Sequence, residues 1–367
     1  MNNKKIKIFV DAHVFDGIYQ GTVSYISGLY SEIIKDDRFQ LYIGSENINT
    51  AKLFLGSENF IHIKYSFSSK ILRLLFETPS IIKKFKIDYA HFQYISPLFK
   101  GCKYIVTIHD LLFLEYPENF PLFYRIKNSI LFYISGKRAD IVTTVSLYSK
   151  NSINKLFNIP LNRIVVTPNA IKKDFKVSIP VNELVDKKFI LFVSRIEPRK
   201  NQALLISIWK ELNLSIDNIG LVLVGSDGVN DNQFLNEIKS LNLNETQNFY
   251  WLKKLPIENL IWLYQNCSLF VFPSMAEGFG IPPIEAAYYG AKVLCSNKTA
   301  MSEFDFFSDF FISPNNRNEF KTKLLDVLNQ EFPHDSIKMK IIEKYNWVKI
   351  SDDFAKIIVE NNNFHHT

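Results

Sequence analysis

The stretch Phe272-Pro-Ser-Met-Ala-Glu277-Gly278-Phe279-Gly280-Ile281-Pro-Pro-Ile-Glu285-Ala-Ala287 decides how this 367-residue chain is read. An apolar run, Ser268 to Pro273, reads as a buried strand, and Gly278 and Gly280 after it permit backbone angles closed to other residues. Pro282 and Pro283 suit the start of a helix, where amides have no intrahelical partner, so a helix is expected here with Glu285 in its first turn. Free amides near Gly280 and Ile281, with the positive end of that helix, favour a diphosphate. Glu277 and Glu285 can accept hydrogen bonds from sugar and ribose hydroxyls. The same residues also fit a plain helix start, in which Glu285 complements the dipole by about 0.3–1 kcal/mol and Glu277 is a solvated turn residue.

Outward from this stretch, short β-branched or aromatic runs alternate with longer helical patterns, as in helices packed on mostly parallel sheets. Strands are expected at 6–10, 40–43, 61–65, 89–93, 104–109, 141–145 and 164–167, and again at 189–194, 220–224, 249–251, 269–272, 292–296 and 310–312. A polar stretch at 171–188, containing Pro180, separates the two sets. The length predicts two domains. Their expected extents are 1–175 and 188–346, joined by a linker at 176–187. The fold class expected is α/β, with two doubly wound Rossmann-like domains facing across a central cleft. Ligands of open parallel sheets bind beyond the carboxyl ends of the strands, which places the site in that cleft.

Net charge is +6, unevenly spread. Residues 1–185 hold 24 Lys and Arg against 15 Asp and Glu, and the remainder 19 against 22. In the basic half, cations interleave with apolar residues at 70–76, 81–86 and 124–127, so contact with an anionic membrane surface is expected, a solvated helix face being the other explanation. No nucleic-acid motif accompanies the charge. Met1 to Ile6 runs straight into a strand without a charged-then-apolar leader, no apolar run approaches bilayer length, and Cys102, Cys267 and Cys295 lack metal-ligand spacing. These features lead us to expect a cytoplasmic protein with reduced thiols.

A second cationic element follows the strand at 189–193. Arg195 and Lys200 flank a proline-stiffened loop and can hold two positive charges against a diphosphate, with Arg199 as the alternate.

The run from Glu277 to Ala286, with Gly290-Ala-Lys-Val-Leu-Cys-Ser296 behind it, closely resembles the E-x(7)-E element of the retaining glycosyltransferases of family four, or glycosyl transferases group 1. Arg195 and Lys200 are similar to that family's R-x(4)-K element. Further matches are Ala139-Asp-Ile-Val-Thr-Thr-Val-Ser146, Pro168-Asn169-Ala170 and Asn346-Trp347. The resemblance implies the GT-B fold, with a terminal helix at 347–367 crossing back to the first domain. It implies transfer of a sugar from a GDP-, UDP- or dTDP-linked donor to a hydroxyl, with retained configuration and no bound cofactor. The residues it marks as catalytic are His109, Asp110, Arg195, Lys200 and Glu277. His109 would contact the transferred sugar, and Asp110 would orient it or the acceptor. Gly278, Phe279, Gly280, Ile281 and Glu285 would hold the donor. So would Gly225, in the turn after the strand at 220–224, and Leu252 and Lys253, whose main chain would pair with the base edge. Gly21 and Thr22 correspond to a glycine-rich loop near the phosphates and acceptor, although this copy lacks adjacent glycines. No paired-acid D-x-D element occupies a strand end, so metal independence is expected. The acceptor expected is a saccharide, favoured as lipid-linked, as in O-antigen or capsule synthesis at the inner face of the plasma membrane. An epimerase or hydrolase of the same fold, or a silent sugar-nucleotide-binding module, are the alternatives.

Overall fold

The computed structural model describes residues 4–17, 21–171, 177–228 and 231–363. Among them the chain forms thirteen strands: β1 (Ile6–Asp11), β2 (Phe39–Ser45), β3 (Ile61–Lys64), β4 (Tyr89–Gln93), β5 (Lys103–Thr107), β6 (Ile141–Thr144), β7 (Ile164–Val166), β8 (Lys188–Val193), β9 (Ile219–Val224), β10 (Phe249–Leu252), β11 (Leu269–Phe272), β12 (Val293–Ser296) and β13 (Phe311–Ile312). They make a seven-stranded sheet, β3-β2-β1-β4-β5-β6-β7, and a six-stranded sheet, β10-β9-β8-β11-β12-β13. Every pairing is parallel. Helices cover both faces, so the central strands are continuous apolar runs: Ile8 to Val10, Phe189 to Phe192 and Leu269 to Phe272 are fully buried.

In each sheet the chain winds outward in one direction and then returns to the middle to wind the other way. The reversal falls between β1 and β4 in the first sheet and between β8 and β11 in the second. Loops leaving the carboxyl ends of neighbouring strands diverge at such a point and open a crevice.

One compact unit comprises residues 1–170 and 345–367, the other residues 171–344. Residues 172–176, the end of the expected first domain and the first residue of the expected linker, lie outside the described residues. The linker's continuation is fastened to the second unit, since Ile179 donates to the Glu258 carbonyl at 3.1 Å and Asn259 Nδ2 donates to the Ile179 carbonyl at 3.0 Å.

The final helix, Trp347–Asn363, belongs to the first unit for a reason visible in its residues. Trp347, Ile350, Phe354 and Ile358 recur at helical spacing and are buried, while Lys349, Asp352, Asp353 and Lys356 occupy the other side. The Trp347 ring fills the space beside Gly28 in the Gly21–Ile33 helix and meets Tyr25 edge-on at 6.3 Å. Ser351 Oγ donates to the Leu29 carbonyl at 3.0 Å, and Lys103 Nζ donates to the Asn361 carbonyl at 2.7 Å. Removing a buried aromatic from such a contact costs about 3–5 kcal/mol. Trp347→Ala is therefore expected to lower the unfolding midpoint of the first unit in hydrogen-exchange mass spectrometry. Protection of β8 and β11 in the second unit should hold; loss of protection in both units alike would contradict this assignment.

Candidate functional site

The second sheet's reversal point carries the densest charge. After β8 the chain passes through Ser194 to Glu197, makes a tight turn at Pro198–Lys200, and enters the Gln202–Glu211 helix through Asn201 in the left-handed region (φ 64°). That turn swings Lys200 inward, where its ammonium contacts the Glu277 carboxylate directly and lies 5.5 Å from the Phe272 ring centre. Arg199 Nη1 reaches the other Glu277 oxygen at 3.3 Å and donates to the Ala276 carbonyl at 2.7 Å. Arg199 Nη2 pairs with Glu197 at 2.8 Å, and Arg195 pairs with the second Glu197 oxygen at 2.7 Å. The result is a chain of alternating charges, Arg195–Glu197–Arg199–Glu277–Lys200, with three cations and two carboxylates. Lys200, Glu197 and Glu277 are buried, whereas the Arg195 side chain is half exposed. Burial opposes the charge of Glu277, but Lys200 and Arg199 outweigh it and hold the carboxyl below its usual range.

Main-chain bonds lock the two loops together. Met275 N and Ser274 Oγ donate to the Arg199 carbonyl at 2.7 and 3.2 Å, and Asn201 Nδ2 donates to the Pro273 carbonyl at 3.3 Å. Glu277 N donates to Thr299 Oγ1 at 2.9 Å. Gly280 then takes φ 93°, ψ 62° and caps the Ile281–Tyr288 helix, a conformation strained for any side chain. Gly278 does not share it, so one glycine, not two, carries the special backbone angle. Phe279 is buried edge-on against Phe304 at 5.6 Å.

Several expected positions differ in detail. The helix starts at Ile281, with Pro282 and Pro283 in its first turn, so Glu285 falls one turn later than expected. It is partly buried and accepts a 3.4 Å hydrogen bond from the Tyr264 hydroxyl; burial pushes its carboxyl up to about 7. Arg195 belongs to the outer end of the charge chain, and Arg199, expected as an alternate, takes the inner place beside Lys200. Gly225 (φ 148°) makes way for neighbouring main chain: a Cβ there would lie 2.0 Å from the Ser194 carbonyl oxygen. Because Ser194 N and Ile196 N donate to Val224 and Ser226 carbonyls at 2.9 and 3.0 Å, this approach extends β8–β9 pairing into the Arg195 loop. Leu252 ends β10 and its carbonyl accepts from Gly225 N at 3.0 Å; Lys253 is exposed and pairs with Asp227 at 2.9 Å.

In the first unit, β5 ends at Thr107, so His109 sits just beyond the strand. It is buried against Tyr25 and Tyr94, with ring centres at 5.0 and 5.3 Å, and Nε2 contacts Gln93 Oε1 at 2.6 Å. Burial pushes its pKa down to about 3, so the imidazole is neutral. Asp110 Oδ1 accepts from Leu112 N at 3.2 Å. Gly21 and Thr22 open the Gly21–Ile33 helix, and residues 18–20 before them lie outside the described residues. Two functional candidates escaped the sequence reading. Glu197 bridges two arginines, and the alternation Arg195-Ile-Glu197-Pro-Arg199 is the signal for it. Asp11, buried at the end of β1, contacts His13 Nδ1 and the Tyr65 hydroxyl at 3.0 and 2.6 Å, and these lower its carboxyl against the opposing effect of burial.

Two Rossmann-like units in one chain, with a charged crevice at the reversal point of the second sheet, define the GT-B class. Residues 174–346 match the family described as glycosyl transferases group 1, and residues 50–175 match glycosyltransferase family 4. The chain belongs to this family of glycosyltransferases. It is 28% identical over 346 residues to O-antigen chain mannosyltransferase B of Escherichia coli, covering 83% of this chain and 87% of that protein. It is also 28% identical over 282 residues to the serotype-specific mannosyltransferase WbdA of the same organism, covering 70% of this chain but only 34% of WbdA. Among solved structures, Anabaena HepE in complex with UDP-glucose superposes with a TM-score of 0.71 at 15% identity, covering 97% of this chain and all of that one.

The raised Glu285 carboxyl gives a pH signature. The native state favours its protonated form, so its stabilising contribution is complete below 4.5 and lost as pH rises through about 7. Urea unfolding of Glu285→Gln, neutral throughout, should lack this downward slope, which wild type should display. Identical slopes in both would show the carboxyl to be unperturbed.

Proposed function

We propose that this chain is a retaining, metal-independent hexosyltransferase. In this reading it moves a sugar from a nucleoside-diphosphate donor to a hydroxyl of a lipid-linked saccharide, building bacterial O-antigen or capsule at the inner face of the plasma membrane. The observation that carries the reading is the charge chain ending in Arg199, Glu277 and Lys200. It has one more cation than carboxylate and stands where a parallel sheet receives ligands. As the bond from the anomeric carbon to phosphate breaks, negative charge grows on the leaving oxygen. Lys200, the nearby arginines and the Gly280 and Ile281 amides at the start of the Ile281–Tyr288 helix are suited to receive it. The acceptor oxygen bonds to the anomeric carbon on the face the phosphate leaves, and its proton passes to a departing phosphate oxygen. Every bond and proton is thereby accounted for without a covalent enzyme intermediate.

Glu277 has a double part in this account. It holds Lys200 and Arg199 in place before the donor arrives, and its oxygens accept from sugar hydroxyls once the phosphate has taken up the cations. Neutral His109 contributes a hydrogen-bonding edge without a competing positive charge. The relatives' names make GDP-mannose the first donor to test, with UDP- and dTDP-hexoses beside it.

Loss of one such stabilising donor costs about 2.7–4 kcal/mol. Lys200→Ala is thus expected to slow transfer from labelled donor by at least about a hundredfold, with its circular dichroism spectrum unchanged. Transfer at the wild-type rate would refute the assignment. Release of free labelled sugar at full speed without any acceptor would favour a hydrolase.

A further inference from the structure

The first unit leaves one apolar surface uncovered. In the Leu122–Arg138 helix, Leu122, Phe123, Ile126, Ile130 and Tyr133 recur along one side, and Phe123 is 78% exposed. The opposite side of the same helix, with Asn128, Phe132 and Ser135, is the part that enters the core. Ile71 and Phe76, in the Lys70–Leu72 turn and the π-helical turn Arg73–Glu77 that continues it, are 69% and 61% exposed.

Charge selects the occupant. The Leu122–Arg138 helix carries Arg125, Lys127, Lys137 and Arg138 and no carboxylate, with Lys127 and Arg138 exposed, whereas Arg73 is buried over the Tyr65 ring and does not belong to this face. A second copy of the chain, paired face to face, would set cation against cation. An anionic bilayer instead takes up the apolar side chains and attracts the cations that flank them. The basic stretch at 81–86 is different. Ile81 and Ile82 are buried and Phe85 packs on Tyr42 at 5.2 Å, so Lys83 and Lys84 lie on an ordinary solvated face and that stretch drops out of the expected membrane contact. Among the described residues no helix is long and apolar enough to cross a membrane.

We propose that this face of the first unit docks on an anionic lipid bilayer, with the Leu122–Arg138 helix lying in the interfacial plane. This deepens the reading above by naming the surface from which a lipid-linked acceptor is reached, and rests on that reading for its purpose alone.

The test is co-sedimentation of the full chain with vesicles containing one-third phosphatidylglycerol, against pure phosphatidylcholine. Phe123→Ser/Ile126→Ser/Ile130→Ser is compared with wild type, and Lys83→Glu/Lys84→Glu serves as a control. Wild type should pellet with the anionic vesicles only. The triple variant should partition at least about tenfold less, while the lysine control should bind within about twofold of wild type. Melting curves confirm that each variant folds. Equal binding by wild type and the triple variant overturns the proposal. So does sedimentation velocity in which wild type is a dimer and the triple variant a monomer, which would assign the face to a second copy. Nucleoside-diphosphate binding is measured in the same samples. Its loss with docking intact would sink the transferase reading alone, and the reverse would sink docking alone.

Discussion

The direct contact between Lys200 and Glu277 is the constraint on which the second unit's site depends. It joins the loops leaving β8 and β11, the two strands between which that sheet reverses its winding, and hydrogen bonds from Ser274 Oγ and Met275 N to the Arg199 carbonyl hold the same two loops. A buried ion pair contributes little net stability, because desolvation offsets its attraction. What it supplies here is orientation. With Glu277 fixed, Arg199 has one place to go, Glu197 is drawn in behind it, and the surplus cation is held at the crevice in advance of any anion.

The first unit solves a different problem. At the ends of β4 and β5 the histidines are neutral and tied into hydrogen bonds within the protein. His91 contacts the Tyr30 hydroxyl at 2.7 Å and Thr107 Oγ1 at 2.6 Å, Thr107 continues to Thr143, and Tyr25 bonds Thr167 while its ring supports His109. Burial pushes both histidines down to about 3. At these strand ends the cations therefore cluster in the second unit's loops, proposed to take the phosphates, and the first unit offers a neutral imidazole. Lys127 and Arg138 of the first unit lie instead on its outer surface, on a helix with exposed aromatic and aliphatic side chains.

Much of this architecture was legible in the residues. The central strands declare themselves because a parallel strand buried on both faces must be an unbroken apolar run, and the alternation with helical segments leaves few other folds. The pairing of acidic and basic loop residues was legible through motif spacing. What escaped was set by tertiary detail. Glu285 is displaced by one turn because left-handed Gly280 ends the loop immediately before Ile281. Gly225 is needed because another main chain, at Ser194, occupies its side-chain space, a contact between β8 and β9 that local sequence does not encode. The inner place of Arg199 depends on which way a tight turn points. The basic stretches at 70–76 and 81–86 look alike in composition, and only packing separates the apolar residues that reach the core from those that remain outside.

The central claim is that the Arg199–Glu277–Lys200 cluster receives the donor's diphosphate, and a crystal structure of the chain with a nucleoside diphosphate bound tests it most directly. The account predicts phosphate oxygens within hydrogen-bonding distance of Lys200 and of an arginine from the 195–199 loop, beside the amides preceding the Ile281–Tyr288 helix. A diphosphate bound elsewhere, with Lys200 and Glu277 still paired and untouched, would contradict it.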